Sequence, residues 1–207
     1  MALHAGRRGL SVLSPDEIRT RYERVQAEVG AGVTVVAATK YVPLAEMARL
    51  VEAGVAVVGE NRAQDLEAKH AEYGDAFRWH FIGHLQSNKV KVVNGICELV
   101  HSVDSDSTAR RLEVPALVQV NLAGEGSKSG VAPEEIAGFL RYDVRGLSTM
   151  PPAAAGAEDS RPWFARLREL AAEHGLAELS MGTTQDYAVA AEQGATYVRV
   201  GSVLFRD

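Results

Sequence analysis

The sequence predicts a single α/β domain over residues 1–207, a (β/α)8 TIM-type barrel with an extra N-terminal helix. Three observations carry that reading. Short apolar strand-like runs alternate with helix-like runs to the end of the chain, the pattern of a parallel sheet covered by helices. The strand candidates number eight, which argues for a closed barrel over the alternative, an open doubly wound sheet. The length of 207 residues suffices for one sizeable core and falls short of two ordinary domains with a linker.

The first helix covers about Pro15 to Val29, with Ser14 as N-cap, Pro15 at the first helical position and Glu17 completing a capping box. Strands follow at Thr34–Thr39, Ala56–Gly59, Arg78–Ile82, Leu99–Val103, Ala116–Asn121, Arg145–Met150, Leu179–Met181 and Tyr197–Val200. The helix-like stretches between them include Leu44–Glu52, Arg62–Glu72, Pro133–Leu140, Pro162–Glu173 and Asp186–Gln193, while Thr39–Pro43 and Ala153–Ser160 read as βα loops. One unit is awkward. Only Asp104–Val114 part the fourth and fifth strands, where a parallel crossover ordinarily takes about a dozen residues or more. Asp104-Ser-Asp-Ser-Thr108 opens like a helix, yet Pro115 arrives after barely one turn. Either the crossover is unusually short or residues are missing near Arg110, and the pattern favours missing residues.

Composition narrows the function. Apolar residues at 46% and charged residues at 24% describe a soluble globular protein, and a net charge of −5 argues against general affinity for nucleic acid or an anionic membrane. The single cysteine, Cys97, allows no internal disulfide and fits a reducing cytoplasm. Arg7-Arg8 has the look of a twin-arginine export signal, but Ser14-Pro15-Asp16-Glu17 arrives before any long apolar run. No stretch approaches the roughly 20 apolar residues of a bilayer span. The chain reads as cytoplasmic and unexported.

Lys40 ends the apolar run that begins at Val33, and Pro43 opens a helix directly after it. Barrel enzymes keep their reacting groups at the C-terminal ends of strands, and a partly desolvated lysine there is an amine nucleophile towards an aldehyde. The plain alternative is a strand-ending lysine that snorkels to water. Ser180-Met181-Gly182-Thr183-Thr184 and Arg199-Val200-Gly201-Ser202 follow the seventh and eighth strands, where barrels often bind phosphate through backbone N–H groups and small hydroxyls. Tight turns alone account for the same residues. Arg199, inside an apolar strand, either pairs with a carboxylate such as Glu60 or Asp104 or donates to an aromatic ring nitrogen of a bound cofactor. Asn61 either bonds a cofactor substituent or caps the next helix, and His80 is equally a satisfied core histidine. His80 and His84 lie on a strand and turn, so they share no helical face, and no metal site is expected. Gly124–Gly130 fails the nucleotide-binding P-loop pattern, because Leu122 and Ser127 stand where glycines are needed. That excludes NTP hydrolysis and leaves Lys128 as a basic residue near the barrel mouth, there to meet a phosphate or simply solvated.

In this order the pieces resemble one family, the pyridoxal-phosphate-binding proteins related to the N-terminal barrel of alanine racemase and implicated in vitamin B6 homeostasis. The resembling stretches are Val36-Ala-Ala-Thr-Lys40, Gly59-Glu-Asn-Arg62, Trp79-His-Phe-Ile-Gly83 with Leu85-Gln86 and Asn88-Lys89, and His101-Ser-Val-Asp-Ser105. Later come Gln119-Val-Asn121 with Ser127-Lys-Ser-Gly130, Arg145-Gly-Leu147, Leu179-Ser-Met-Gly182 with Asp186, and Arg199-Val-Gly-Ser202. Together they run from about residue 33 to the end. Two departures stand out: Thr183-Thr184 replaces the family's usual Met-Ser, and Ser148 stands where methionine is common.

The resemblance implies pyridoxal 5'-phosphate as cofactor, held as an internal aldimine on Lys40. It implies a phosphate cradle of Ser180, Met181, Gly182, Gly201 and Ser202, a pyridine-nitrogen partner in Arg199, and ring-side neighbours in Asn61 and His80. An arginine keeps that nitrogen unprotonated and the ring a weak electron sink, which suits a carrier or a narrow racemase-type reaction better than general amino-acid chemistry. The implied function is intracellular pyridoxal phosphate homeostasis by a monomeric carrier or buffer that serves PLP-requiring apo-enzymes, rather than a conventional enzyme. A weak PLP-dependent amino-acid racemase is the alternative, and a PLP-free Schiff-base aldolase a more distant one. Alanine racemases add a β domain that supplies a second base. The chain ends at Asp207, directly after the eighth strand, so that domain is not expected here.

Overall fold

The computed structural model describes residues 13–126, 129–153 and 155–206. Eight strands form a closed, all-parallel barrel in sequence order: β1 (Thr34–Ala38), β2 (Val57–Glu60), β3 (Arg78–Phe81), β4 (Leu99–Val103), β5 (Ala116–Gln119), β6 (Val144–Ser148), β7 (Glu178–Thr183) and β8 (Tyr197–Val200). The ring closes between β1 and β8, with Thr34 opposite Tyr197 and Val36 opposite Arg199. The helices are α1 (Pro15–Val29), α2 (Met47–Glu52), α3 (Ala63–Tyr73), α4 (Val90–Asn94), α5 (Asp106–Ala109), α6 (Arg161–Glu173), α7 (Tyr187–Glu192) and α8 (Ser202–Phe205). The predicted barrel and its extra first helix are thus both present. α1 starts at the predicted capping box, with Ser14 and Glu17 bonding reciprocally, and turns Ile18, Tyr22, Val25 and Val29 into the core.

Alternation along each strand sorts side chains into two compartments. Val35 and Ala37 join the apolar layer between barrel and helices, so Val36 and Ala38 face the barrel axis. β6 and β7 approach so closely that a Cβ on Gly146 would lie 1.8 Å from the Glu178 carbonyl oxygen, and only glycine fits there. Cys97 is buried in the outer layer, and burial pushes its thiol up to about 12.

The outer layer also holds a charged contact that the sequence did not announce. Lys69 on α3 reaches inward and donates from Nζ to the Thr39 carbonyl at 2.8 Å and to Glu60 Oε1 at 2.5 Å. Thr39 Oγ1 donates to the same carboxylate oxygen at 2.6 Å. Glu60 is fully buried, and its Oε2 has no partner among the described residues. This group fixes the backbone one residue before Lys40.

Some expectations need correction. Between β4 and β5 the single turn α5 is the whole crossover helix. Pro133–Phe139 is a 3-10 helix rather than an α-helix, and Ala157–Ser160 adds a 3-10 turn ahead of α6. The short helices α4 and α8 had no counterpart in the sequence reading. Arg7-Arg8, Ser127 and Lys128 lie outside the described residues. Among those described, no helix is long and apolar enough to cross a membrane.

Candidate functional site

The C-terminal ends of β1, β7 and β8 open into a cleft of about 580 Å³ whose lining includes Lys40, Tyr41, Thr184, Arg199, Gly201 and Ser202. Lys40 gets there by alternation: Ala38 faces in, Thr39 faces out to Lys69 and Glu60, and Lys40 turns back towards the mouth. Its side chain is exposed, with Nζ 5.0 Å from the Tyr41 ring centroid, and Arg206 stands 5.1 Å from the same ring. Both are cation–π distances.

Arg199 rises from β8 inside the barrel and is only 8% exposed. Among the described residues no carboxylate pairs with it, contrary to one of the two sequence readings. Glu60 is taken by Lys69, and Asp104 faces His84 at 3.4 Å. Arg199 Nη1 donates instead to Ser180 Oγ at 2.7 Å and to the Ser180 carbonyl at 3.2 Å. Nη2 donates to the Thr149 carbonyl at 2.8 Å and contacts Met150 Sδ at 3.0 Å. Burial lowers its pKa to about 10, with Asp186 opposing the shift, so the guanidinium stays charged at neutral pH.

At the end of β8 two backbone N–H groups converge on one oxygen. Gly201 and Val203 donate to Thr184 Oγ1 at 3.2 and 3.4 Å. A hydroxyl oxygen therefore occupies a point where an anion oxygen would be bound by the same donors. A Cβ on Gly201 would come within 3.3 Å of the Ala38 carbonyl, so glycine lets β1 and β8 close up beside that point.

Not every residue singled out from sequence lines the cleft. Ser180 is fully buried, bonded to Arg199 and His101. Met181, its neighbour on the opposite face of β7, packs in the outer apolar layer. Gly182 has φ +89°, and a Cβ there would sit 2.5 Å from the Ala190 Cβ, so this glycine seats α7 against the strand. His80 lies deeper in the barrel, its Nδ1 2.9 Å from His101 Nε2. Asn61 stands at the end of β2, its backbone so close to Gly83 that a Cβ on that glycine would lie 2.2 Å from the Asn61 oxygen. α3 has Arg62 as N-cap with no side-chain bond, so Asn61 does not cap it. Among the described residues no cluster suited to a metal ion occurs.

The sequence reading missed roles for His101, Thr149 and Met150. Thr149 and Met150 act through a backbone carbonyl and a thioether, which leave no residue-type signal. His101 stood in a quoted motif, but only the β3–β4 register, His80 opposite Leu99, shows that it reaches the same interior as His80. Burial is the main cause that pushes His80 down to about 4, and it holds His101 well below the ordinary imidazole range. Both rings are neutral in the fold, whereas unfolded imidazoles titrate near 6.5. As pH falls from about 6.5 towards about 4 the unfolded chain takes up protons that the fold refuses, and stability drops, by on the order of 3 kcal/mol for His80 alone. The urea midpoint is expected to fall across that window, and His80→Gln to flatten the fall.

An eight-stranded parallel barrel that gathers an amine, a buried guanidinium and convergent N–H groups in one mouth belongs to the class of barrels that bind small carbonyl or anionic ligands at the strand ends. The chain belongs to the alanine racemase N-terminal domain family, whose model matches residues 13–207. It is 39% identical over 193 residues to the pyridoxal phosphate homeostasis protein of Aquifex aeolicus, covering 82% of this chain and 85% of that one. To the protein of the same name from Deinococcus radiodurans it is 40% identical over 201 residues, 89% of this chain and 95% of that one. Among solved structures it is similar to PipY of Synechococcus elongatus PCC7942 with PLP bound. The TM-score is 0.82 at 32% identity, covering 91% of this chain and 99% of that one.

Proposed function

We propose that this protein binds pyridoxal 5'-phosphate as a Schiff base on Lys40 and serves intracellular vitamin B6 homeostasis as a carrier or buffer rather than as a conventional enzyme. The observation that carries the reading is the sharing of one cleft by Lys40, Arg199 and Gly201, whose N–H converges with that of Val203 on Thr184 Oγ1. The relatives named for pyridoxal phosphate homeostasis and the PLP-bound PipY structure support it. When bound, the cofactor supplies an aldehyde electrophile and a ring that withdraws electrons.

The residues have separable tasks. Lys40 would supply the amine that condenses with the cofactor's aldehyde, with loss of water. Arg199 would donate to the ring nitrogen and keep it unprotonated. Gly201 and Ser202, with Thr184, would hold the phosphate; Gly182 seats α7 beside them, Met181 packs behind β7, and Ser180 would act through Arg199. Asn61 would neighbour the ring, and His80 would act from deeper in the barrel. An arginine-bound ring suits a carrier or a narrow racemase-type reaction alike, but racemisation wants a second positioned base opposite Lys40, so the carrier reading is preferred. Such a carrier works as a cytoplasmic monomer and hands its cofactor to PLP-requiring apo-enzymes.

The test is a visible absorption spectrum of the purified protein with pyridoxal phosphate, followed by borohydride reduction and peptide mass mapping. A Schiff-base band with the reduced adduct on Lys40 is expected. Absence of both would overturn the proposal. In Arg199→Ala the band should shift and cofactor retention weaken about tenfold to a hundredfold, the range for losing one hydrogen bond from a charged donor. Equilibrium dialysis reads the loss.

A further inference from the structure

Below the cleft lies a row of polar groups whose connection to one another the proposed function leaves unexplained. Arg199 Nη1, Ser180 Oγ, the His101 ring and the His80 ring are joined in series by contacts of 2.7, 2.7 and 2.9 Å. Ser180, His101 and His80 are at most 1% exposed. The Tyr197 ring meets both imidazoles edge-on, at 5.2 Å from His101 and 5.8 Å from His80. The hydroxyl of Ser148, the residue that stands where methionine is common in the family, donates to the His101 carbonyl. The row thus runs down the inside of the barrel and is held from both sides.

Donor and acceptor chemistry orients it. Arginine only donates, so Ser180 Oγ accepts from Arg199, and donation to His101 Nδ1 is the orientation that also pairs the hydroxyl's own proton among the described residues. In that orientation His101 carries its proton on Nε2 and donates to His80 Nδ1, which leaves His80 protonated on Nε2. Every bond then points away from the mouth. Such a one-way chain polarises along its length and spreads the guanidinium charge without neutralising it. A carboxylate partner would hold the arginine equally well but cancel its field at the cleft.

We propose that His101, acting through Ser180, is the positioning residue that aims Arg199 at the cofactor's ring nitrogen and preserves its positive field there, with His80 as the end of the same relay. The neutral state of both imidazoles fits this role, because a charged ring could not accept from its neighbour. This inference rests on the reading of Arg199 as the partner of the pyridine nitrogen.

Two measurements test it. The first needs no cofactor: long-range proton–nitrogen NMR of the imidazoles should find His101 neutral with its proton on Nε2, a pattern lost in Ser180→Ala. A proton on His101 Nδ1 overturns the relay. The second uses the cofactor-loaded protein. Ser180→Ala and His101→Phe should shift the visible band in the same direction and weaken retention about fivefold to tenfold. His101→Asn, which keeps an acceptor for Ser180, should restore the wild-type band. Should His101→Phe fail to fold, Ser180→Ala carries the test, since it removes a single buried oxygen. A folded Ser180→Ala with unchanged band and retention overturns the inference while leaving the cofactor site intact. A wild-type protein that takes up no pyridoxal phosphate overturns the proposed function itself, and with it the role given to the relay.

Discussion

Lys40→Ala is expected to abolish covalent capture of pyridoxal phosphate while leaving the barrel folded. The two halves of that expectation have separate causes. Lys40 lies beyond the last residue of β1, its side chain is exposed, and its recorded contact is the Tyr41 ring, itself 64% exposed. A cation–π contact at such a site contributes only about 0.5–1 kcal/mol, so the melting temperature should move by a few degrees at most. Among the described residues no other lysine lines the cleft. Lys69 Nζ is buried and already donates to Glu60 and Thr39. Borohydride treatment should therefore yield no adduct on the mutant, and gel filtration should strip the cofactor that Arg199 and the Gly201 turn hold without a covalent bond. A full-strength adduct on another peptide would move the site away from β1.

The second large effect is on stability. Lys69→Met leaves Glu60 charged, fully buried and without its cation. Breaking a buried pair from one side costs about 3–5 kcal/mol, a large share of the margin of an ordinary domain. The urea midpoint should drop sharply. Adding Glu60→Gln in the same chain should recover much of the loss, because the uncompensated charge goes with it. Equal midpoints for the single and double variants would show that Lys69 contributes packing alone. The cofactor should also bind more weakly to Lys69→Met, since the Thr39 carbonyl that Lys69 ties down immediately precedes Lys40.

The barrel was legible because its signal is repetitive. Each strand is a short apolar run before a helix start, and α1, β4 and β8 fall on their expected residues. Errors gathered where local pattern is weakest: the short helices α4 and α8, and a 3-10 helix that shares proline and acidic start signals with an α-helix. Lys40, Arg199, Gly201 and Ser202 could be read from their positions at strand ends, and all four line one cleft. Ser180 and His80 are expected as cofactor contacts on the family resemblance, and both lie buried deeper in the barrel. The direction of each side chain depends on strand parity and on register across the barrel, which sequence does not print. The same limit hid Lys69, a lysine on a helix that looks like any solvated one until α3 packs over Glu60.

Cys97 offers something of practical use. It is the only thiol in the chain, sealed under the helices and pushed up to about 12, so it is a poor nucleophile towards maleimides at neutral pH. The natural protein is therefore expected to stay silent to thiol labelling without any residue being removed. A cysteine introduced at the exposed Tyr41 would take up a fluorophore alone, a few ångströms from the Lys40 amine. Arrival and departure of a vitamin could then be followed in real time by the quenching of that single dye, in a chain otherwise unaltered.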